Sequence, residues 1–408
     1  MTLAFTMQQK IKVLSGAGSV NKLGELLSEA GFSKPFLIFD PGIKASGIAE
    51  RVSGILKDAG AEVVEFDRVR ADPPADMVEE AAAVCKANRC DCVIALGGGS
   101  AIDTGHGVTV LRFNEGHILD FADPAKEMKP SPGLISIPTT SGTGAEMSNG
   151  IIITNPATGE KVPIVGVNAM SEFAILDPEL TIGMPASLTA MTGLDIFSHA
   201  MEAFTTVLSN PLTDMICEKV MQEVVENLPT AVREPQNFAA RERMHNAASL
   251  GGWMLANCCA HVGHSIAHVL GGALHLPHGA ACAFGAPAAM RFIAPAVPDK
   301  IKKVGEILGA EFTGNESPEE IAELTCRAFI RFRDESVGLA PMESFGVDKT
   351  AVLAQTDTLA EKVAAECFAP LSPRTVTEAD AKKMLEEVFG ATPERKMSAG
   401  HSTGAIAG

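Results

Sequence analysis

The chain has 408 residues, 33 of them Lys or Arg and 50 Asp or Glu, for a formal charge of -17. Such a length exceeds the roughly 250–300 residues at which a single core stops growing, so two domains or one large one are expected, and the acidic balance argues against nucleic acid or an anionic membrane as the main partner. There is no tyrosine, which rules out dehydrogenases and reductases whose proton donor is a Tyr phenol.

Residues 1–14 lack the apolar core of a signal peptide, because Gln8, Gln9 and Lys10 interrupt them. Residues 36–39 read as a buried strand, and residues 48–56, apolar at 48, 52, 55 and 56, as an amphipathic helix. A second strand is predicted over 62–66, and Pro73-Pro74 opens a helix that runs to about Asn88. Residues 92–96 form a third strand that ends in Gly97-Gly98-Gly99-Ser100, and residues 134–137 a fourth, followed by Pro138-Thr139-Thr140-Ser141-Gly142-Thr143-Gly144. Strands alternating with helices in this way predict a mostly parallel sheet covered on both faces.

The texture changes after Asp177-Pro178. Beyond Pro185 helical patterns take over to about Phe389, so the expected domains are residues 1–183, α/β, and residues 184–408, all-α. Residues 392–408, rich in Gly, Ala and Ser, read as a loosely held tail. The most apolar run, 280–290, is shorter than the ~18 residues of a membrane span. Nine scattered cysteines contain no C-x-x-C pair, which argues against a zinc site built on thiolates and for a reducing compartment, the cytoplasm.

Two loops have the composition of anion sites. Gly97 to Ser100 follows a strand and opens a helix, where free N–H groups favour phosphate, and three glycines exceed what a plain turn needs. The Gly/Thr-rich loop 138–144 also follows a strand. Neither matches G-x-G-x-x-G, and Gly16-Ala17-Gly18 is followed by Asn21 where that motif wants Gly. Asp40 ends the strand 36–39; it suits ribose hydroxyls and repels a 2′-phosphate, or it is simply a turn Asp before Pro41-Gly42.

Five of the ten histidines fall between residues 261 and 278. His264 and His268 are four apart, as are Asp195 and His199, so each pair shares a helix face. Helical pairs of this kind present metal ligands inside bundles, and imidazoles with one carboxylate suit a divalent metal such as iron or zinc. His261 shares that face or does not, while His117, His245 and His275 read as satisfied core residues.

These residues together resemble the iron-dependent (group III) alcohol dehydrogenases. AILDPELTIGMPASLTAMTGLDIFSHAME at 174–202 and HSIAHVLGGALHLPHG at 264–279 are similar to the two signatures of that family, and GGGSAID at 97–103, PTTSGTGAE at 138–146 and SPRTVTEAD at 372–380 follow its order. The resemblance implies an N-terminal α/β dinucleotide-binding domain and an all-α C-terminal domain, the architecture shared with dehydroquinate synthase, with a metal in the cleft. It implies Asp195, His199, His264 and His278 as ligands of Fe2+, with Zn2+ fitting the same donors, and His268 as a catalytic histidine outside the ligand set. NAD contacts map to Asp40, Gly97, Gly98, Gly99, Ser100, Thr139, Thr140, Ser148, Lys161 and Leu180. The implied activity is hydride transfer between nicotinamide and a small alcohol or aldehyde, in a homodimer or larger homo-oligomer. The chain departs from the pattern at His106, where Lys is usual, and at Gly150, Cys282, Gly285 and Ala286, whose small side chains suggest a roomier pocket. The competing readings are an NAD- and zinc-dependent lyase of the dehydroquinate synthase type and a non-catalytic metal-binding helical protein.

Overall fold

A computed structural model describes residues 5–390. The Gly-, Ala- and Ser-rich stretch 392–408 lies outside the described residues. Six strands, β1 (Lys12–Ser15), β2 (Pro35–Ile38), β3 (Val64–Phe66), β4 (Cys92–Gly97), β5 (Leu134–Pro138) and β8 (Phe173–Leu176), form one sheet in the order β1-β8-β5-β4-β2-β3. Every pairing is parallel. Between them, β6 (Gly150–Thr154) and β7 (Lys161–Val165) make a separate antiparallel hairpin.

All six residues of β4 are buried, which is why its sequence runs apolar without alternation. From β2 the chain moves outward to β3, and from β4 it moves the other way to β5, so the strand order reverses between β2 and β4. Crevices at such reversals, beyond the carboxyl ends of the strands, are where parallel sheets bind ligands. Asp40 and the Gly97 loop flank this crevice. The helix Gly99–Phe113 leaves it buried from Ala101 to Leu111 and lies tight on the sheet. A Cβ on Gly105 would come within 2.5 Å of the Ala95 Cβ, and one on Gly107 within 2.5 Å of Val78.

From Ala186 the chain is helical. The helices Ala186–Thr205, Pro211–Arg233, Phe238–Cys258, Val262–Leu274 and His278–Ile293 surround one core, and Pro318–Arg331 closes it. Phe197 packs against Phe329 and Phe332, with ring centroids 5.3 Å and 6.2 Å away. Buried Arg241 donates to the carbonyls of Pro235 and Met184 and to the Thr189 hydroxyl, which fastens Phe238–Cys258 to the start of Ala186–Thr205. Among the described residues no helix is long and apolar enough to cross a membrane.

The elements predicted over 36–39, 48–56, 62–66, 74–88, 92–96 and 134–137 are present with ends shifted by a few residues, as Pro35–Ile38, Ile48–Asp58, Val64–Phe66, Ala75–Ala87, Cys92–Gly97 and Leu134–Pro138. Strands β1 and β8 and the hairpin were not expected from the sequence. Residues of β1 are largely exposed, so it carries no apolar run, and the Pro163 that interrupts β7 is tolerated because the two-stranded hairpin leaves each strand a free edge.

The two halves meet backbone to backbone. The loop after β5 runs onto the helix Phe238–Cys258, where His245 Nδ1 lies 3.2 Å from the Ser141 hydroxyl and Ser249 donates to Glu146. Gly144 has φ +61°, and a Cβ on Gly252 would sit 1.8 Å from the Gly144 carbonyl oxygen. We expect Gly252→Ala to force helix and loop apart, lowering stability by about 1–3 kcal/mol as overpacked sites do. Thermal unfolding checks this, and NAD titration should show weaker binding because the same loop borders the crevice.

Candidate metal and cofactor site

Three helices converge at the crevice. Asp195 and His199 are one turn apart on Ala186–Thr205, and His264 and His268 one turn apart on Val262–Leu274. His278 is the first residue of His278–Ile293, with Cys282 one turn further along. Oδ1 of Asp195 is buried and has no hydrogen-bond partner. Around it stand the Nε2 atoms of His199 at 3.8 Å, His264 at 3.9 Å and His278 at 3.6 Å. These separations are too long for hydrogen bonds, but two ligand atoms on a shared tetrahedral metal lie about 3.4 Å apart. An undonated buried carboxylate is costly without a cation, so the donors present fit the divalent metal that the sequence implies.

The electrostatics favour the neutral, ligating form of two of the three imidazoles and orient the third. Burial pushes the pKa of His199 and of His278 well below the usual imidazole value, keeping their nitrogen lone pairs free. His264 is also buried, but the Glu202 carboxylate outweighs that effect and raises it. Glu202 Oε1 lies 2.7 Å from His264 Nδ1, and Oε2 accepts from the backbone N–H groups of His261 at 2.8 Å and His264 at 3.1 Å. Burial alone would raise the Glu202 carboxyl, yet His264, His261 and these hydrogen bonds hold it at about 2. A carboxylate on Nδ1 fixes the tautomer that leaves Nε2 to the metal.

His268 has a parallel arrangement. Its Nδ1 is 2.9 Å from Glu366 Oε1, while Glu366 Oε2 accepts from the Ser265 hydroxyl at 2.7 Å and the Phe368 N–H at 2.8 Å. Although burial works against ionisation, the His268 hydrogen bond leads the effects that bring Glu366 down to about 2. Neither glutamate was singled out from the sequence. Glu202 follows His199 by three residues on the same helix, a spacing that was there to be read. Glu366 had no local signal.

A cleft of about 270 Å³ joins the metal donors to the phosphate loop: His199, His264, His268 and His278 share its walls with Gly99, Ser100, Ser148 and Lys161. Gly97, Gly98, Thr139 and Thr140 stand behind that wall. The Thr139 N–H donates to the Gly97 carbonyl at 3.0 Å, and a Cβ on Gly98 would lie 3.3 Å from Thr140. No side chain caps the helix Gly99–Phe113, so its first N–H groups remain available to an anion. Asp40 takes the turn role read for it, and its second oxygen is left towards the Gly97 loop. Oδ1 caps the short helix Pro41–Ala45 by accepting from the N–H of Gly42 at 2.7 Å and of Ile43 at 3.1 Å, and Oδ2 is the oxygen nearest Gly97. Leu180 is buried in the core beneath the sheet and does not line the cleft. Lys161 Nζ pairs with Asp72 at 2.8 Å. Asp103, unremarked in the sequence, also lines the cleft, and burial pushes it up to about 8.

Several histidines need correction. His117 and His275, expected in the core, are exposed because both fall in turns: His117 lies 3.2 Å from Glu79, and His275 ends its helix with φ 54°. His245 is buried as expected. His261 does not share the His264 face; it precedes the helix, buried with Nε2 2.8 Å from the Thr205 hydroxyl. His106 is buried 3.4 Å from Ser171, away from the cleft, and burial holds it near about 4, so it carries no cation where Lys is usual.

The chain is similar in sequence and fold to known proteins. Residues 11–178 match the family model described as iron-containing alcohol dehydrogenase, and residues 189–389 the model of the C-terminal part of the Fe-containing alcohol dehydrogenase family. A 1,3-propanediol dehydrogenase of Klebsiella pneumoniae is 34% identical over 301 residues, 73% of this chain and 78% of the relative. An NAD-dependent methanol dehydrogenase of Bacillus methanolicus is 30% identical over 374 residues, 92% of this chain and 97% of the relative. The crystal structure of a 1,3-propanediol oxidoreductase superimposes with a TM-score of 0.89 at 30% identity, covering 95% of this chain and all of that one.

Glu202→Gln keeps the shape of the side chain but gives up its charge against His264. We expect metal affinity to fall about 10–100-fold with the fold retained, as when second partners of ligating histidines are altered. Chelator competition with elemental analysis measures this.

Proposed function

Because the chain belongs to the iron-containing alcohol dehydrogenase family, NAD-linked oxidoreductases that act on CH–OH groups with Fe2+ as metal, we propose a division of labour along it. Residues 1–183 bind NAD and residues 184–408 hold the metal through Asp195, His199, His264 and His278. The observation that carries this reading is the undonated Asp195 oxygen with three imidazole nitrogens at 3.6–3.9 Å, whose histidines line a cleft that also reaches the phosphate loop.

When bound, the metal supplies Lewis acidity towards a substrate oxygen and NAD supplies hydride chemistry. The protein's part is placement and proton handling. Glu202 holds the His264 ring, and the N-terminus of Gly99–Phe113 with Ser100, Thr139 and Thr140 cradles the pyrophosphate. Ser148, Lys161 and Leu180 support the remainder of the cofactor, the last from beneath. The Nδ1 of His268 is held by Glu366, so Nε2 is the nitrogen that exchanges a proton with the alcohol oxygen. Glu366 stays ionised through the neutral range and stabilises the imidazolium formed when His268 takes the proton.

A cleft of about 270 Å³ admits a small alcohol or aldehyde, and Gly150 on its wall leaves room where a larger side chain would fill it, whereas Cys282, Gly285 and Ala286, expected to widen it as well, do not line it. The chain acts in the cytoplasm as a homodimer or larger homo-oligomer. Turnover of a panel of short aldehydes with NADH, before and after Fe(II) or Zn(II) loading, tests the reading. Absence of metal-dependent NADH oxidation across the panel would turn attention to the lyase alternative.

Two substitutions separate the roles. His268→Ala should keep metal and NAD but lose roughly 10²–10⁴-fold in turnover, with an altered pH profile. Loss of the metal in that variant would make His268 a ligand instead. Asp40→Gly removes a charge facing the ribose 2′ position and should narrow the preference for NAD over NADP by about 1–3 kcal/mol. The ratio of kcat/KM values with the two cofactors reads this out, and equal efficiency in the unmodified protein refutes it.

A further inference from the structure

The donor cluster includes a side chain with no assigned part. Cys282 Sγ lies 3.7 Å from the Nε2 of His264 and 3.7 Å from the Nε2 of His278. Ligand atoms of Asp195, His264, His278 and Cys282 all fall within 4.8 Å of one another. The thiol is buried, 2% exposed, and its polar surroundings are those two imidazoles and the Asp195 carboxylate. With a metal–sulfur bond of about 2.3 Å and metal–nitrogen bonds of about 2.0–2.1 Å, a tetrahedral centre sets sulfur and nitrogen about 3.6 Å apart. The thiol meets that condition towards two imidazoles at once, and without a metal its S–H faces the Asp195 carboxylate, the proton that ligation would displace. Independently, the orphaned Asp195 Oδ1 shows that this pocket is built around a cation.

We propose that Cys282 is a thiolate donor to the metal of this chain and biases the site from iron towards zinc. The inference rests on the metal centre proposed above; in the four-coordinate zinc form the donors are Asp195, His264, His278 and Cys282, whose ligand atoms lie within 4.8 Å of one another, and His199 leaves the set. Ligation breaks the S–H bond, forms a sulfur–metal bond with the sulfur electron pair and releases the proton to solvent; nothing is oxidised or reduced. Thiolate is a soft donor that suits zinc. It also adds a second negative charge: a divalent ion with Asp195 and neutral imidazoles keeps a net charge of about +1, and with Cys282 thiolate about zero. The centre is then a weaker Lewis acid than one with histidine and carboxylate donors alone.

The test uses the full chain loaded with cobalt(II) or zinc. Cobalt(II) in the unmodified protein should show a sulfur-to-metal charge-transfer band in the near ultraviolet, lost in Cys282→Ala. X-ray absorption of the zinc form should contain a sulfur scatterer at about 2.3 Å, absent from the variant. Incubated with equal Fe(II) and Zn(II) under anaerobic conditions, the unmodified chain should retain mostly zinc, and Cys282→Ala should shift the retained ratio towards iron. Full metal occupancy with nitrogen and oxygen scatterers only, and no band, would overturn the thiolate while leaving the proposed function intact. Failure of the unmodified chain to bind any of the three metals would overturn both. Should Cys282→Ala fold poorly, Cys282→Ser, which keeps the volume, carries the same spectroscopic test.

Discussion

Burying a carboxylate so that one oxygen receives no hydrogen bond is destabilising by several kcal/mol unless a cation completes it. Asp195 is in that situation. The other features of the helical half follow from satisfying it. Three helices must approach one point, their rings must present neutral nitrogens, and a charge must be supplied behind at least one ring to fix its tautomer. Glu202 does the last, and the main-chain N–H groups at the start of Val262–Leu274 orient Glu202 in turn. Metal affinity is thereby tied to where that helix begins.

The cofactor half is organised by close approach rather than charge. Gly105 lets the helix Gly99–Phe113 lie directly on β4 and β5, Gly107 lets it meet the helix Ala75–Ala87 at Val78, Gly98 and Gly99 admit Thr140 and Thr143 of the next loop, and Gly144 and Gly252 bring the two halves into backbone contact. A side chain at any of these points would move the phosphate loop relative to the metal donors. Hydride transfer tolerates little displacement of this kind, since reacting atoms must be held about 3–3.5 Å apart. Glycine content here encodes distance.

Periodicity made much of this legible. The buried strands 36–39 and 92–96 stand out because parallel strands are apolar throughout, and Asp195/His199 and His264/His268 because four residues make one helical turn. The departures have physical causes as well. β1 is too short and exposed to show a run of apolar residues. His117 and His275 fall in turns, where helical periodicity says nothing about burial. Cys282 escaped a search for C-x-x-C because that spacing detects thiolates that chelate together, whereas this sulfur joins imidazoles from two helices. Glu366 is 98 residues from His268 and becomes its neighbour only through folding.

That last separation has a practical side. Glu366 lies just past the helix Thr356–Ala365, in a connecting segment whose next residue, Cys367, faces solvent. The aim of the His268 ring is therefore set by a connecting segment beside the cleft, where Glu366 holds Nδ1 and Phe368 packs 5.6 Å from the ring. Variation confined to 365–372 touches neither the Gly97 loop nor Asp195, but through Phe368, which lines the cleft and packs 6.5 Å from the His264 ring, it reaches one metal donor as well as His268. For directed evolution this short segment reaches the reacting histidine from outside the cofactor loops, on a stretch of chain the two signature helices do not share.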